Sequence, residues 1–234
     1  MTEQAQQRGV AFEGLTRDTL ARYVVKRLRP GGGTRPALLL IEDRGRRAVV
    51  KDYRDSGWLL SRVFGPWLIG REAGIYHRLR GARGVPELIA RLDRWALVVE
   101  FVEGRAASEL PRGSLTLDFF DRLAAVVAGI HARRIVHCDL KNRSNIVVGD
   151  DGEPYIVDFA SAFTYTGRLG PVRRFLFDRF QLDDRRAVVK ARMLVGGIRS
   201  EEDERFVRQR SAAERVVRVL RDGVRWVFQF VGRL

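Results

Sequence analysis

The hydrophobic period of this chain changes near Gly104, and that change limits what the chain can fold into. Before it, apolar and β-branched runs at 22–28, 36–42 and 47–53 are separated by Pro30-Gly31-Gly32-Gly33 and by Asp43-Arg44-Gly45. Runs bounded by Gly and Pro predict strands joined by tight turns, here an antiparallel meander. Helical spacing of Ile69, Ala73, Tyr76 and Leu79 predicts one helix over about 66–80, and two further strands are expected at 87–93 and 95–101. After Gly104, Phe120, Leu123, Ala124, Val127 and Ile130 recur at the helical period and predict a helix over 117–133. Short runs at 145–148 and 154–157 flank Asp150-Asp151-Gly152 and predict a hairpin, with helices expected again at about 174–194 and 201–230. The class expected is α+β: a small sheet with one helix, then a mainly helical part.

Bulk composition agrees with a folded domain. The chain has 234 residues, of which 45% are hydrophobic, enough for a sizeable core. Its uninterrupted apolar stretches are far shorter than the roughly 20 residues that span a bilayer. Residues 1–9 are polar and Cys138 is the single cysteine, so a cytoplasmic location is expected. The formal charge of +14 favours anionic partners. Only four of the 43 basic residues are lysine, at 26, 51, 141 and 190, so a lysine retained in this arginine-rich background marks a place where the exchange costs something. A compact ammonium and a planar guanidinium hold a phosphate differently.

Between Ile130 and Phe159 the polar residues His131, His137, Asp139, Lys141, Asn145 and Asp158 stand at fixed offsets around the two short hairpin strands. An isolated Asp or Asn in a loop usually caps a turn, but turn capping does not demand this spacing of Asp139, Asn145 and Asp158. The stretch resembles the catalytic loop and metal-binding segment of protein kinases: His-x-Asp-Leu-Lys-x-x-x-Asn-Ile, a hairpin, then Asp-Phe. Upstream, Ala48-Val49-Val50-Lys51 resembles the third-strand lysine motif, and Glu72 resembles its partner on the helix, against the alternative of a solvated helix residue.

The resemblance implies a two-lobed protein-kinase-like fold, with an N-lobe at about 15–101, a hinge at about 100–104 and a shortened helical C-lobe at about 105–234. It implies ATP with Mg2+ or Mn2+. Asp139 would orient or deprotonate the acceptor hydroxyl and Lys141 would lie near the transferred group. Asn145 and Asp158 would hold the metal, and His137 would support the loop. Lys51, paired with Glu72, would take the phosphates, while the backbone of Glu100 and Val102 would bond the adenine.

Departures from the pattern narrow the relatives. Gly31–Gly33 is a weak substitute for a Gly-x-Gly-x-x-Gly phosphate loop; Cys138 stands where regulated kinases carry Arg, and Ala160 where they carry Gly. Compact lipopolysaccharide-core sugar kinases and RIO-type atypical kinases are therefore the relatives expected. The leading expectation is transfer to a glycolipid sugar hydroxyl at the membrane, with a RIO-like protein serine/threonine kinase as the alternative and a nucleotide-binding pseudokinase behind both. The apolar and arginine faces of 212–234 suggest peripheral contact with an anionic membrane, against the alternative that they pack on the protein. No specific nucleic acid partner is expected. An aromatic and basic segment at 53–67, with Trp58, Phe64, Trp67, Arg54 and Arg62, reads first as core packing.

Overall fold

The computed structural model describes residues 11–33, 35–58, 60–165 and 170–208. Five strands form one antiparallel sheet: β1 (Val24–Arg29), β2 (Ala37–Asp43), β3 (Arg46–Asp52), β4 (Leu88–Arg91) and β5 (Ala96–Glu100), in the order β1-β2-β3-β5-β4. The strands lie close to the runs that predict them. The period of two decides which side chains go to which face. Ala48 and Val50 of β3 join Ile41, Ala96 and Val98 in one cluster, whereas Leu97 of β5 packs with Tyr53 and with Ile69 of helix α1 (Gly65–Arg78) in another.

The first of these clusters is closed by Phe12 and Leu20, from a segment ahead of β1 for which the sequence predicts no element. Charge fastens that segment to the sheet. The Phe12 N–H donates to Asp43 Oδ2 at 2.6 Å, and Arg17 donates to Asp93 through Nε at 2.8 Å and Nη2 at 3.0 Å while also pairing with Asp52. Burial opposes the charge on Asp93, but the Arg17 guanidinium and the Trp95 N–H outweigh it and hold the carboxyl below the usual carboxylate range. Burial likewise opposes the charge on Arg17, and the two carboxylates raise its pKa all the same.

The described residues separate into two compact units, one holding those through Ala73 with Glu87–Phe101, the other holding Gly74–Pro86 and those from Val102 to Arg208. The second unit is built on α2 (Leu117–Ala132), whose start is capped by Thr116 accepting from the Phe119 N–H at 3.3 Å. Its apolar stripe of Phe120, Leu123, Val127 and Ile130 is buried. Short strands flank it: β6 (Gly104–Ala106) pairs with β8 (Ile146–Gly149), which pairs with β9 (Pro154–Ile156), and β7 (Ile135–Val136) pairs with β10 (Phe163–Thr164). Gly104 is required where it stands, because a Cβ there would meet the Val148 carbonyl oxygen at 2.1 Å. Helix α3 (Gly170–Ala191) runs into a π-turn, Arg192–Gly196, and stops at Gly197 in the left-handed conformation before α4 (Glu201–Arg208).

Strands β6, β7 and β10 are not anticipated by the sequence, since two or three residues are too few to show a period. The expected helix over 201–230 is seen in α4, and its remainder, with the amphipathic face of 212–234, lies outside the described residues. Packing of the 53–67 aromatics is divided: Phe64 joins the cluster around Ile69, but Trp58 is 73% and Trp67 55% exposed. Among the described residues no helix is long and apolar enough to cross a membrane.

The depressed pKa of Asp93 implies stability that is present above the ordinary carboxylate value, about 4, and is lost as pH falls through the folded-state value. Arg17→Ala should cost about 1–3 kcal/mol in urea unfolding at neutral pH and flatten the loss of stability on acidification below about pH 4. An unchanged acid profile in the variant would show that the clamp is not what couples this segment to the sheet.

Candidate active site

In the first unit the lysine of β3 and the glutamate of α1 meet. Lys51 Nζ donates to both carboxylate oxygens of Glu72 at 2.9 Å, and the two side chains are 8% and 2% exposed. Taking two charges out of water costs several kcal/mol for each, and a well-packed apolar pair would often hold the fold as well or better. A buried pair at this register is therefore poorly explained by stability alone, and Glu72 is not a solvated helix residue.

In the second unit, β7 delivers the chain into the loop 137–145. His137 is fully buried; its Nε2 donates to the Val157 carbonyl at 3.0 Å, leaving Nδ1 to accept from the Asp139 N–H at 3.3 Å. This pattern sets the tautomer as well as the course of the loop. Asn145, which ends a turn capped by the Asn142 side chain, donates through Nδ2 to the Asp139 carbonyl at 3.1 Å and to Asp139 Oδ2 at 3.3 Å. The Asn145 carbonyl in turn accepts from the Val157 N–H at 3.0 Å. Val157 thus ties the segment ahead of Asp158 to both His137 and Asn145. Asp158 itself is exposed, has φ 65°, and accepts from the Ala160 N–H at 3.3 Å. Beyond it Phe159 is fully buried, edge-on to His137 at 5.0 Å and to Tyr76 at 5.2 Å between ring centroids.

The residue that the sequence does not reveal is Asp184 of α3, which is 2% exposed. Its Oδ2 accepts from the His137 N–H at 2.7 Å and from His131 Nε2 at 3.1 Å, and its Oδ1 accepts from the Cys138 N–H at 3.0 Å. Cys138 has φ 66°, a left-handed conformation that costs a non-glycine residue about 1–2 kcal/mol. The charge-assisted bonds to Asp184 offset that cost and fix the backbone immediately before Asp139. The buried Nδ1 of His131 has no hydrogen-bond partner among the described residues, so the ring is held through Nε2 alone.

The sequence-derived residues thus fall into two groups: Lys51 with Glu72, and His137, Asp139 and Asn145 in one hydrogen-bonded loop to which Val157 ties the backbone beside Asp158. Lys141 is exposed in the same loop. Glu100, at the end of β5, donates its N–H to the Glu87 carbonyl at 2.9 Å, and Val102 is the first residue of the second unit's longer segment. The weak glycine loop proves to be a tied hairpin tip: Gly32 and Arg35 exchange backbone hydrogen bonds at 3.1 and 2.9 Å, and Gly33 accepts from the Gly57 N–H at 2.9 Å. Among the described residues no three His, Cys, Asp or Glu side chains form a metal cluster. Asn145 and Asp158 carry oxygen donors of the kind suited to Mg2+, a hard cation that takes few protein oxygens and completes its shell with water and phosphate. The Asn145 amide nitrogen is committed to Asp139, so its side-chain oxygen is the atom left for a cation.

Sheet, helices and loop together define a protein-kinase-like α+β chain. The family model described as RIO domain matches residues 62–169, and the structure of the Rio2 kinase from Chaetomium thermophilum superposes with a TM-score of 0.56 at 18% identity, over 84% of this chain and 68% of that one. No curated protein sequence matches the chain. The chain is thus similar to the RIO domain over 62–169 and has a protein-kinase-like fold.

Asp184→Asn should lower the stability of the protein by about 2–4 kcal/mol, because the loop N–H groups lose an ionised acceptor. It should reduce turnover at least about tenfold with nucleotide affinity retained, as expected of a positioning residue. Unchanged turnover in a variant with a lowered melting temperature would restrict Asp184 to the fold.

Proposed function

We propose that the chain is an ATP-dependent kinase of the RIO type that phosphorylates a serine or threonine hydroxyl of a protein. The observation that carries this reading is the buried Lys51–Glu72 pair, with both Nζ–oxygen distances at 2.9 Å. The RIO match over 62–169 supports the protein-acceptor reading and lends nothing to a lipopolysaccharide-core acceptor, which the sequence alone puts first. The surface proposed for membrane contact, 212–234, lies outside the described residues.

Each residue has a role that its surroundings suit. Lys51, oriented by Glu72, offers a fixed ammonium to the nucleotide phosphates, and the backbone at Glu100 and Val102 is offered to the adenine. Phosphoryl transfer asks mainly for alignment and charge neutralisation. Asp139 is half-buried and bonded to Asn145 through one oxygen, which fixes the carboxylate so that it can orient the acceptor hydroxyl and receive its proton. Lys141 supplies positive charge near the transferred group. Asn145 and Asp158 would hold a divalent cation, which when bound neutralises phosphate charge. Phe159, wedged against His137, keeps the backbone beside Asp158 in register with the loop.

Incubation with γ-labelled ATP and Mg2+ should label serine or threonine in a cytosolic protein extract and leave purified lipopolysaccharide-core glycolipid unlabelled. Label confined to the glycolipid would reverse the choice of acceptor. Lys51→Arg should lower turnover at least about tenfold although it keeps the charge, because the larger planar group cannot occupy the buried place beside Glu72. A wild-type rate for that variant would break the link between this pair and phosphate binding.

A further inference from the structure

The turn between β4 and β5 and the segment before α1 border an open, arginine-lined pocket, built from residues that the kinase chemistry does not use. Arg54, Ser61, Arg62, Arg94 and Trp95 line a cavity of about 280 Å3 in the first unit. Trp95 is its fixed wall: the backbone N–H donates to Asp93 Oδ1 at 2.7 Å and the indole Nε1 donates to the Ser61 carbonyl at 2.6 Å. Two guanidiniums lie against that ring, Arg94 at 4.2 Å and Arg54 at 5.4 Å from the centroid. Arg54 is held at its backbone too, its N–H donating to Asp52 Oδ1 at 2.9 Å.

Three arginines converge here without a carboxylate. Among the described residues, none of Arg54, Arg62 and Arg94 takes part in an ion pair. Of the neighbouring acids, Asp52 and Asp93 are both bound by Arg17, and Asp55, next to Arg54 in the chain, is exposed and makes no ion pair with it. Stacking on an indole orients a guanidinium while leaving its N–H edge open, and such edges match the oxygens of a phosphate. A cavity of 280 Å3 lies at the small end of ligand sites, which suits a single phosphate group with a short substituent.

We propose that this pocket binds a phosphomonoester, with Arg54 and Arg94 as the charged donors set by Trp95 and with Arg62 adding positive charge to the lining. The site is independent of the transfer chemistry assigned to Asp139 and Lys51. Its position gives it a consequence: Arg54 follows Lys51 by three residues, and Ser61 and Arg62 lie just ahead of α1, which carries Glu72. An occupant would hold together the two chain segments that lead to the Lys51–Glu72 pair.

The test uses the full chain labelled with 15N, following the indole N–H of Trp95 by nuclear magnetic resonance at constant ionic strength. Inorganic phosphate, O-phosphoserine and glycerol 3-phosphate are titrated separately, to distinguish a free anion, a phosphorylated side chain and a lipid headgroup as the source. The Trp95 indole should shift saturably with at least one of them and not with matched chloride. The variant Arg54→Gln/Arg94→Gln should weaken that binding at least about tenfold, while Arg133→Gln, on the second unit, should leave it unchanged. Failure of all three ligands to move the Trp95 signal, an equal shift with chloride, or equal affinity in the double variant would overturn the proposal. Because the readout is Trp95 and not turnover, an inactive protein could still pass this test and an active one could fail it.

Discussion

A single buried carboxylate, Asp184, determines where the loop that carries Asp139 can run. Two consecutive backbone N–H groups and one imidazole converge on it, and one of those N–H groups belongs to a residue in a left-handed conformation. Without a charged acceptor inside the second unit, that backbone course would leave polar groups unsatisfied and a strained Cys138 uncompensated. The rest of the loop follows from it. His137, fixed at its N–H, uses one ring nitrogen for Val157 and the other for Asp139; Asn145 then closes on Asp139 from the far end. Residues 137, 145 and 157 are held in one network by bonds that depend on the backbone as much as on side chains.

The first unit follows a different logic, in which burial selects the function. The sheet's period of two sends Ala48 and Val50 to one face and Lys51 to the other. A charge pointing into an apolar face must be matched, and α1 supplies Glu72 at the point where Lys51 emerges. The opposite face is finished by the segment around Phe12 and Leu20, which Arg17 fastens to Asp52 and Asp93. That clamp also engages Asp52 and Asp93, the acids that precede Arg54 and Arg94 by two residues and one, and neither pairs with those arginines.

Much of this was legible in the sequence because it is local. Strands and turns follow from runs punctuated by Gly and Pro, and Lys51, Asp139, Asn145 and Asp158 stand out by residue type and spacing. What was not legible depends on distance along the chain. Asp184 lies 47 residues from His137 on a helix whose sequence, Gln181-Leu182-Asp183-Asp184-Arg185, gives no sign which of two adjacent aspartates turns inward. Arg17 is one of many arginines, and its partners are 35 and 76 residues away. Strands of two or three residues show no period. Composition misjudged Trp58 and Trp67 for a similar reason: a run of aromatics suggests a core, but a core requires an opposing surface, which a sequence does not display.

The central claim is that these residues transfer a phosphoryl group from ATP, and a single-turnover measurement with γ-labelled ATP tests it most directly. Wild type and Asp139→Asn should melt alike and bind ATP alike in the presence of Mg2+. Wild type should then transfer label to protein hydroxyls in a Mg2+-dependent reaction, and Asp139→Asn should be slower by about a hundredfold or more, the scale of a lost general base. Equal rates for the two proteins, or label transfer that persists with the metal chelated, would contradict the account.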